Sequence, residues 1–259
     1  MYASNMILIE QIPVMSDNYI YILVDKSTNQ TACVDPGVTA EVISYIDNRK
    51  LGLNFILNTH HHADHIGGNI ILKKKYGCQV VGNKNDANRI PGIDIFVKEG
   101  DKLSIGNSVC SIIEVTGHTK GHISYFFEKD RALFCGDTLF SLGCGRLFEG
   151  TPSQMVNSLN KIRSLPDDTK VYCAHEYTEA NSRFANHLTP NDSLLKKKII
   201  EIKKKRSKNI PTIPSILSEE KKLNPFLKFD DKDYIDSIGM DFISSSINFG
   251  RIRKLKDGF

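Results

Sequence analysis

Short apolar runs alternate with polar turns over the first two thirds of the chain. Their β-branched and aromatic residues favour strands. The clearest runs cover residues 19–24, 31–35, 55–58, 79–81, 108–115, 123–127 and 170–173. Apolar residues recur with helical spacing over 39–49, 69–76 and 152–164, and Pro152 after Thr151 is typical of a helix start. This pattern predicts a mixed α/β layered domain.

The pattern changes after about residue 176, where the sequence becomes charge-rich and helix-forming. Leu195, Ile199 and Ile202 recur between lysines, and Pro211 and Pro214 then interrupt the helical spacing. Further helical stretches follow near 231–236 and in the last fifteen residues. We therefore predict two domains, a larger one over 1–175 and a smaller, mostly helical one over 176–259.

Composition places the chain among folded soluble proteins. Of its 259 residues, 40% are hydrophobic and 25% are charged, and the formal net charge of +4 is too small to imply a polyanionic partner. Lysine runs at 73–75, 196–198 and 203–205 raise nucleic-acid processing as an alternative. These runs flank apolar helical positions, which favours a solvated face, so we predict no nucleic-acid partner.

The sequence gives little indication of a targeting signal or of a disulfide framework. The segment Met1–Glu10 lacks the basic start of a signal peptide, and no stretch approaches the ~20 apolar residues of a membrane span. The six cysteines show no C-x-x-C pairing and lie mostly in apolar runs. We expect a cytoplasmic protein without membrane association, whose cysteines are reduced and buried.

A histidine-rich segment follows the predicted strand at 55–58. It contains His60, His62, Asp64 and His65. Imidazoles and carboxylates are ligands that zinc, iron and manganese accept. The alternating histidines can face one metal while Asp64 and His65 face a second. A structural zinc site or a surface loop that binds adventitious metal is the weaker interpretation, because structural zinc favours cysteine and none lies here.

This segment resembles the signature of the metallo-β-lactamase superfamily. The resemblance implies an α/β fold, a four-layered αβ/βα sandwich with two metals at its rim. It also implies three further ligands, each after a strand-like run: His118, Asp137 and His175. By similarity, one metal takes His60, His62 and His118, the other takes Asp64, His65 and His175, and Asp137 bridges them. The pattern leaves His61 as a spacer or outer donor and His122 as a structural residue.

A binuclear centre of this kind indicates hydrolysis. Two metals can lower the pKa of a shared water and polarise a carbonyl or phosphoryl oxygen. Zinc is the expected metal, with iron or manganese as alternatives. The superfamily hosts several reactions, so the substrate has to be argued from other residues.

Other stretches resemble glyoxalase II, the hydroxyacylglutathione hydrolase family. They are residues 136–150, 175–177 and 253–259, with 17–19 near the start. The resemblance implies hydrolysis of S-D-lactoylglutathione to D-lactate and glutathione, the second step of methylglyoxal detoxification. Asp64 and Asp137 would serve catalysis, and the helical C-terminal domain would bind substrate.

The resemblance also assigns the substrate-binding residues. Arg146, Arg253 and Lys256 would hold the glycine carboxylate end of glutathione, because cationic side chains recognise carboxylates, and Tyr177 would donate a hydrogen bond nearby. Phe148 stands where the family commonly has tyrosine, so one phenol donor is missing.

Two further functions are alternatives. A glutathione persulfide dioxygenase would use one iron on a similar scaffold, but the helical C-terminal region with Arg253 and Lys256 argues against it. A non-enzymatic metal-binding role is hard to reconcile with an unbroken ligand set. We expect a monomer.

Overall fold

A computed structural model describes residues 7–259, which form two compact units. The N-terminal unit consists of the described residues up to Glu114 together with Lys120–Gly136, and the C-terminal unit consists of Val115–Thr119 and Asp137–Phe259. The first part of the segment Met1–Glu10, used above for targeting signals, lies outside the described residues. These units are defined by contacts within each of them and do not test the domain boundary between residues 175 and 176, which stays a prediction.

The N-terminal unit contains a six-stranded sheet in the order β1-β2-β3-β4-β5-β6. Its strands are β1 (Ile7–Val14), β2 (Asn18–Asp25), β3 (Thr31–Val34), β4 (Phe55–Leu57), β5 (Gln79–Asn83) and β6 (Ile93–Val97). The first three strands pair antiparallel and β3 to β6 pair parallel. Every residue of β2 and β3 is buried. Strands that are covered on both faces have continuous apolar sequences, as the runs at 19–24 and 31–35 do.

Three helices and four antiparallel strands complete this unit. The helices are α1 (Ala40–Asn48), α2 (Ala63–Ile66) and α3 (Asn69–Tyr76), with a short 3-10 turn at Lys84–Asp86. The strands follow the order β10-β9-β8-β7 and are β7 (Lys102–Ile105), β8 (Ser108–Glu114), β9 (Ile123–Phe127) and β10 (Ala132–Gly136). Val42 and Ile46 of α1 and Leu72 of α3 are buried in a core with Ile20 and Ile56.

The C-terminal unit is mostly helical. Its helices are α4 (Pro152–Arg163), α5 (Thr178–Leu188), α6 (Ser193–Arg206), α7 (Leu217–Leu223), α8 (Lys232–Ser237) and α9 (Ser245–Asp257), with a 3-10 turn at Pro225–Leu227. Its short strands are β11 (Leu139–Phe140), β12 (Gly143–Cys144), β13 (Lys170–Cys173) and β14 (Ser215–Ile216). Thr151 caps α4 in a capping box with Gln154, and Pro152 occupies the first turn, as the sequence predicts.

The mixed α/β prediction and the helical C-terminal prediction are both confirmed. The helical spacing of Leu195 and Ile202 is explained by α6, which buries both residues. All six cysteines are free and buried, also as predicted. Within residues 7–259, no helix combines the length and the apolar character needed to cross a bilayer.

Candidate active site

Each unit carries part of the predicted ligand set, and in the N-terminal unit that part lies in the loop after β4 and in α2. His60 and His65 are buried, while His62 and Asp64 are partly buried. Nε2 of His60 lies 3.0 Å from Nδ1 of His62, and Nε2 of His65 lies 3.4 Å from a carboxylate oxygen of Asp64. The structure therefore brings these four residues together as two neighbouring pairs.

Asp35 lies behind this cluster and was not predicted as a functional residue. Its carboxylate accepts hydrogen bonds from the backbone N–H of Thr59 at 2.8 Å and the Thr59 hydroxyl at 2.6 Å, and it lies 3.1 Å from Nδ1 of His65. An ionised carboxylate only accepts, so this contact places the proton of His65 on Nδ1. Nε2 then keeps its lone pair toward Asp64, as a metal ligand requires.

Asp64 is positioned in a similar way. Nδ2 of Asn18 donates to its carboxylate at 2.9 Å, which gives a physical role to the family-like stretch at 17–19. A β-carbon on Gly37 would lie 1.9 Å from the backbone oxygen of Asp64, so only glycine permits this close approach.

His61 and His122 have other neighbours in the same unit. His61 lies 3.2 Å from the buried carboxylate of Asp86 and 3.3 Å from Nη1 of Arg89. His122 is buried and its ring stacks on that of His60, with centroids 4.6 Å apart. The contacts of His61 suit an outer donor, and those of His122 suit a packing residue. The exclusion of both histidines from the ligand set stays a prediction.

In the C-terminal unit, Asp137 faces two imidazoles. One carboxylate oxygen lies 3.4 Å from Nε2 of His118 and the other lies 3.4 Å from Nε2 of His175. Nδ1 of His118 donates to the backbone carbonyl of Arg146 at 2.8 Å, which leaves its Nε2 as the acceptor nitrogen. The two oxygens of one carboxylate are therefore directed at two different histidines.

Three of these distances, each 3.4 Å, fit a bound metal. A zinc ion has ligand bonds of about 2.0–2.2 Å, so two ligand atoms of a tetrahedral shell lie about 3.4 Å apart. That is the separation in the pairs His118–Asp137, His175–Asp137 and His65–Asp64. Direct N–H···O bonds are commonly about 2.7–3.2 Å long. The donor types and their spacing together suit a metal more closely than a direct bond.

A cavity of about 540 Å³ opens in the C-terminal unit beside His118 and Asp137. All five predicted substrate-binding residues line it: Arg146, Phe148, Tyr177, Arg253 and Lys256. The ring of Tyr177 stacks in parallel on that of His175, with centroids 4.8 Å apart. The lining of this cavity therefore contains cationic side chains together with two of the predicted metal ligands.

The cations in this cavity differ in exposure. The side chain of Arg146 is 68% exposed, whereas Arg253 is 7% exposed. Burial, together with the neighbouring charges of Arg253, Arg183 and Arg146, lowers the pKa of Lys256, and Asp257 partly opposes this. Phe148 is 62% exposed, and its ring centroid lies 5.2 Å from that of His118. An added phenol at this position would therefore meet the cavity and solvent.

Comparison with known proteins matches both parts of this chain to family models. Residues 16–175 match the family model of the metallo-beta-lactamase superfamily, and residues 176–259 match the model described as the hydroxyacylglutathione hydrolase C-terminus. The chain is 47% identical to the hydroxyacylglutathione hydrolase of Methylococcus capsulatus, over 98% of this chain and 99% of the relative. It is 45% identical to that of Rhodospirillum rubrum, over 97% and 98%. The chain belongs to the hydroxyacylglutathione hydrolase family.

Solved structures support the fold of this family member. The crystal structure of ETHE1 from Myxococcus xanthus matches with a TM-score of 0.70 and 26% identity, covering 95% of this chain and 90% of that one. BLEG-1 B3 metallo-beta-lactamase matches with a TM-score of 0.65 and 24% identity, covering 85% and 99%. The predicted metallo-β-lactamase fold with a helical C-terminal domain is confirmed.

Membership of the hydroxyacylglutathione hydrolase family makes this chain an enzyme of the hydrolase class. Its relatives carry that name over nearly their full length, so the persulfide dioxygenase alternative is not favoured. The fold and the groups of histidine and aspartate fit a dinuclear metal site.

Proposed function

We propose that this enzyme hydrolyses S-2-hydroxyacylglutathione thioesters, S-D-lactoylglutathione in particular, to the 2-hydroxy acid and glutathione. The observation that carries the proposal is the cavity of the C-terminal unit. It has Asp137 and His118 as part of its lining and Arg146 and Lys256 as another part. A substrate with a reactive carbonyl and an anionic carrier requires potential metal ligands and cationic side chains in one cavity. The relatives named as hydroxyacylglutathione hydrolases support the choice of carrier.

The metal assignment is part of the proposal. One ion would be held by His60, His62 and His118, the other by Asp64, His65 and His175, with Asp137 bridging. Zinc is the proposed metal, with iron and manganese as alternatives. When bound, such ions lower the pKa of a shared water and polarise the thioester carbonyl. The two oxygens of Asp137, each facing a different imidazole, support the bridging role.

The protein's own groups hold and orient the reactants. Asn18 fixes the Asp64 carboxylate, which can orient the attacking water. Water adds to the thioester carbonyl, and the C–S bond breaks to release glutathione thiolate. A thiolate is a good leaving group, so a general acid for departure is dispensable. Arg146, Arg253 and Lys256 would hold the glycine carboxylate end of glutathione, and the Tyr177 hydroxyl would donate a hydrogen bond nearby.

Further properties follow from the same proposal. We place the boundary between the catalytic domain and the substrate-binding domain at residues 175/176, where the two family models also meet. We propose that the enzyme acts in the cytoplasm as a monomer and has neither a nucleic-acid nor a membrane partner.

Hydrolysis of S-D-lactoylglutathione by purified protein, with metal analysis of the same sample, tests the function. We expect free thiol to be released and about two equivalents of metal to be present. Asp137→Ala and His175→Ala should each lower turnover by several orders of magnitude, while Asp241→Ala, at an exposed position, should leave it unchanged. Retained turnover in either ligand variant would contradict the two-metal assignment. Absence of thiol release by the metal-loaded wild type would refute the substrate.

A further inference from the structure

Asp86 is a fully buried carboxylate of the N-terminal unit and lies outside the predicted ligand set. It ends the 3-10 turn at Lys84–Asp86, which follows β5, the parallel neighbour of β4. A β-carbon on Gly121 would lie 2.1 Å from one of its carboxylate oxygens, so the backbone of Gly121 covers the carboxylate closely. Burial of an ionised carboxylate is costly unless donors surround it, so its partners indicate what it does.

Two side chains form a closed arrangement with Asp86. Nε and Nη2 of Arg89 donate to its Oδ1 at 3.2 and 2.5 Å, and Nδ1 of His61 lies 3.2 Å from its Oδ2. Nη1 of Arg89 lies 3.3 Å from Nε2 of His61. A guanidinium only donates, so Nε2 of His61 accepts from Arg89, and its Nδ1 carries the proton that is donated to Asp86. Both ring nitrogens of His61 therefore have partners within the protein.

His61 stands between two proposed metal ligands in the chain, His60 and His62. Nε2 of His60 and Nδ1 of His62 lie 3.0 Å apart, so the two imidazoles converge from alternate positions. The ring of His61 lies edge-on to that of His62, with centroids 5.0 Å apart. Fixing the side chain of His61 removes backbone conformations of this residue that would otherwise separate the two imidazoles. The position of His61 therefore bears on both ligands.

We propose that Asp86 is a positioning residue of the metal site. It anchors His61, and His61 in turn holds the segment in which the imidazoles of His60 and His62 converge on one metal. A carboxylate suits this place because it only accepts, and it lies between two donors, Nδ1–H of His61 and the guanidinium of Arg89. The inference rests on the metal assignment within the proposed function.

Asp86→Asn tests this role with little change in side-chain volume. An amide has one acceptor and one donor, so either His61 or Arg89 would meet a donor in place of an acceptor. We expect the zinc affinity of the folded protein to fall about tenfold or more, measured by competition with a chromophoric chelator. Asp130→Asn is the matched control and should keep the wild-type affinity. Asp130 is a buried carboxylate of the same unit that accepts from the backbone N–H of Ile7 at 3.2 Å.

Substitutions of His61 separate positioning through this residue from a general effect of the buried charge. His61→Asn keeps a donor close to the place of Nδ1 and should retain zinc affinity within about threefold, whereas His61→Leu should lose about tenfold. In the His61→Leu background, Asp86→Asn should cause little further loss, because the contact is already gone. The His61 side chain is 17% exposed, so these variants remain informative if Asp86→Asn does not fold.

Wild-type zinc affinity in Asp86→Asn or in His61→Leu would overturn the inference. Equal losses in His61→Asn and His61→Leu would do so too, as would a full further loss on adding Asp86→Asn to His61→Leu. If the wild type binds two zinc ions but releases no thiol from S-D-lactoylglutathione, the proposed substrate fails, and the zinc titrations still decide the role of Asp86. A wild type that binds no zinc would refute the metal assignment and this inference together.

Discussion

Three of the proposed metal ligands are each held by a polar group that leaves one atom facing the candidate site. The Asp35 carboxylate orients His65, the Arg146 carbonyl orients His118, and Asn18 orients Asp64. Such outer contacts fix the tautomer and the ring orientation, and their loss typically costs about 10–100-fold in metal affinity. The cluster His60–His65 could be predicted from its local spacing, whereas His118, Asp137 and His175 were implied by the family resemblance alone. The supporting partners lie 28 to 46 positions from the ligands they hold.

Asp35→Asn tests the outer contacts at this scale. The amide lacks the negative charge that holds the Nδ1–H of His65, and it can turn a donor toward that nitrogen. We expect zinc affinity to fall about 10–100-fold, measured by competition with a chromophoric chelator. Asp47→Asn, at an exposed position of α1, is the matched control. Wild-type affinity in Asp35→Asn would show that His65 is oriented without this carboxylate.

Phe148→Tyr tests the substrate end of the cavity. The Phe148 ring is largely exposed, so a hydroxyl can be added without a packing clash. One new hydrogen bond is worth about 0.5–1.5 kcal/mol, so KM for S-D-lactoylglutathione should fall by up to about tenfold while kcat changes little. Phe96→Tyr, on an exposed residue of β6, controls for the added hydroxyl. An unchanged or raised KM would count against the assignment of residues 136–150 to binding of the glutathione carrier.

At the scale of elements, the strands explain why some functional residues were missed. β3 and β4 are parallel neighbours, with Val34 opposite Leu57, so the residues that follow them reach the same sheet edge. A polar residue ending a strand-like run was visible at Asp35, but the pairing of that strand with the one before His60 was not. Helix α5 was not predicted individually, and it buries the polar residues Thr178, Asn181 and Ser182 beside Phe184 and Ala185. Only the structure shows that Nδ2 of Asn181 donates to the carbonyl oxygen of Ser141, in the loop at residues 139–145.

Gly145→Ala tests the close packing of that loop. The added β-carbon would meet the Asp137 backbone oxygen at 2.0 Å, so backbone must move. We expect weaker metal binding, at least tenfold lower kcat/KM, and a free energy of unfolding lower by about 1–3 kcal/mol. Gly52→Ala is the matched control, because a β-carbon there meets nothing within 4 Å. Chelator competition and urea unfolding measure both effects, and identical behaviour of the two variants would contradict the packing argument.

For the whole molecule, we expect stability against acid to depend in part on the buried carboxylate of Asp25. Asp25, at the end of β2, accepts hydrogen bonds from Ser27 and Thr28 in its own turn and from Ser108 at the start of β8, at 2.7 Å. This contact links the two sheets of the N-terminal unit. Burial raises the pKa of Asp25, but the hydrogen bonds from Ser27, Ser108 and Thr28 outweigh it and hold the pKa well below its ordinary value.

The sign of the resulting pH dependence can be tested with Asp25→Asn. A carboxyl group with a lowered native pKa stabilises the fold above its unfolded pKa of about 3.9, and that stabilisation is lost as the pH falls toward the native pKa. The wild type should therefore lose free energy of unfolding from about pH 5 to pH 3 more steeply than Asp25→Asn, which is less stable at neutral pH but lacks this titration. Urea unfolding of metal-free protein across this range separates the effect from release of metal by acid. Asp241→Asn, at an exposed position, should follow the wild-type slope. Parallel curves for the wild type and Asp25→Asn would show that folding does not lower the pKa of Asp25.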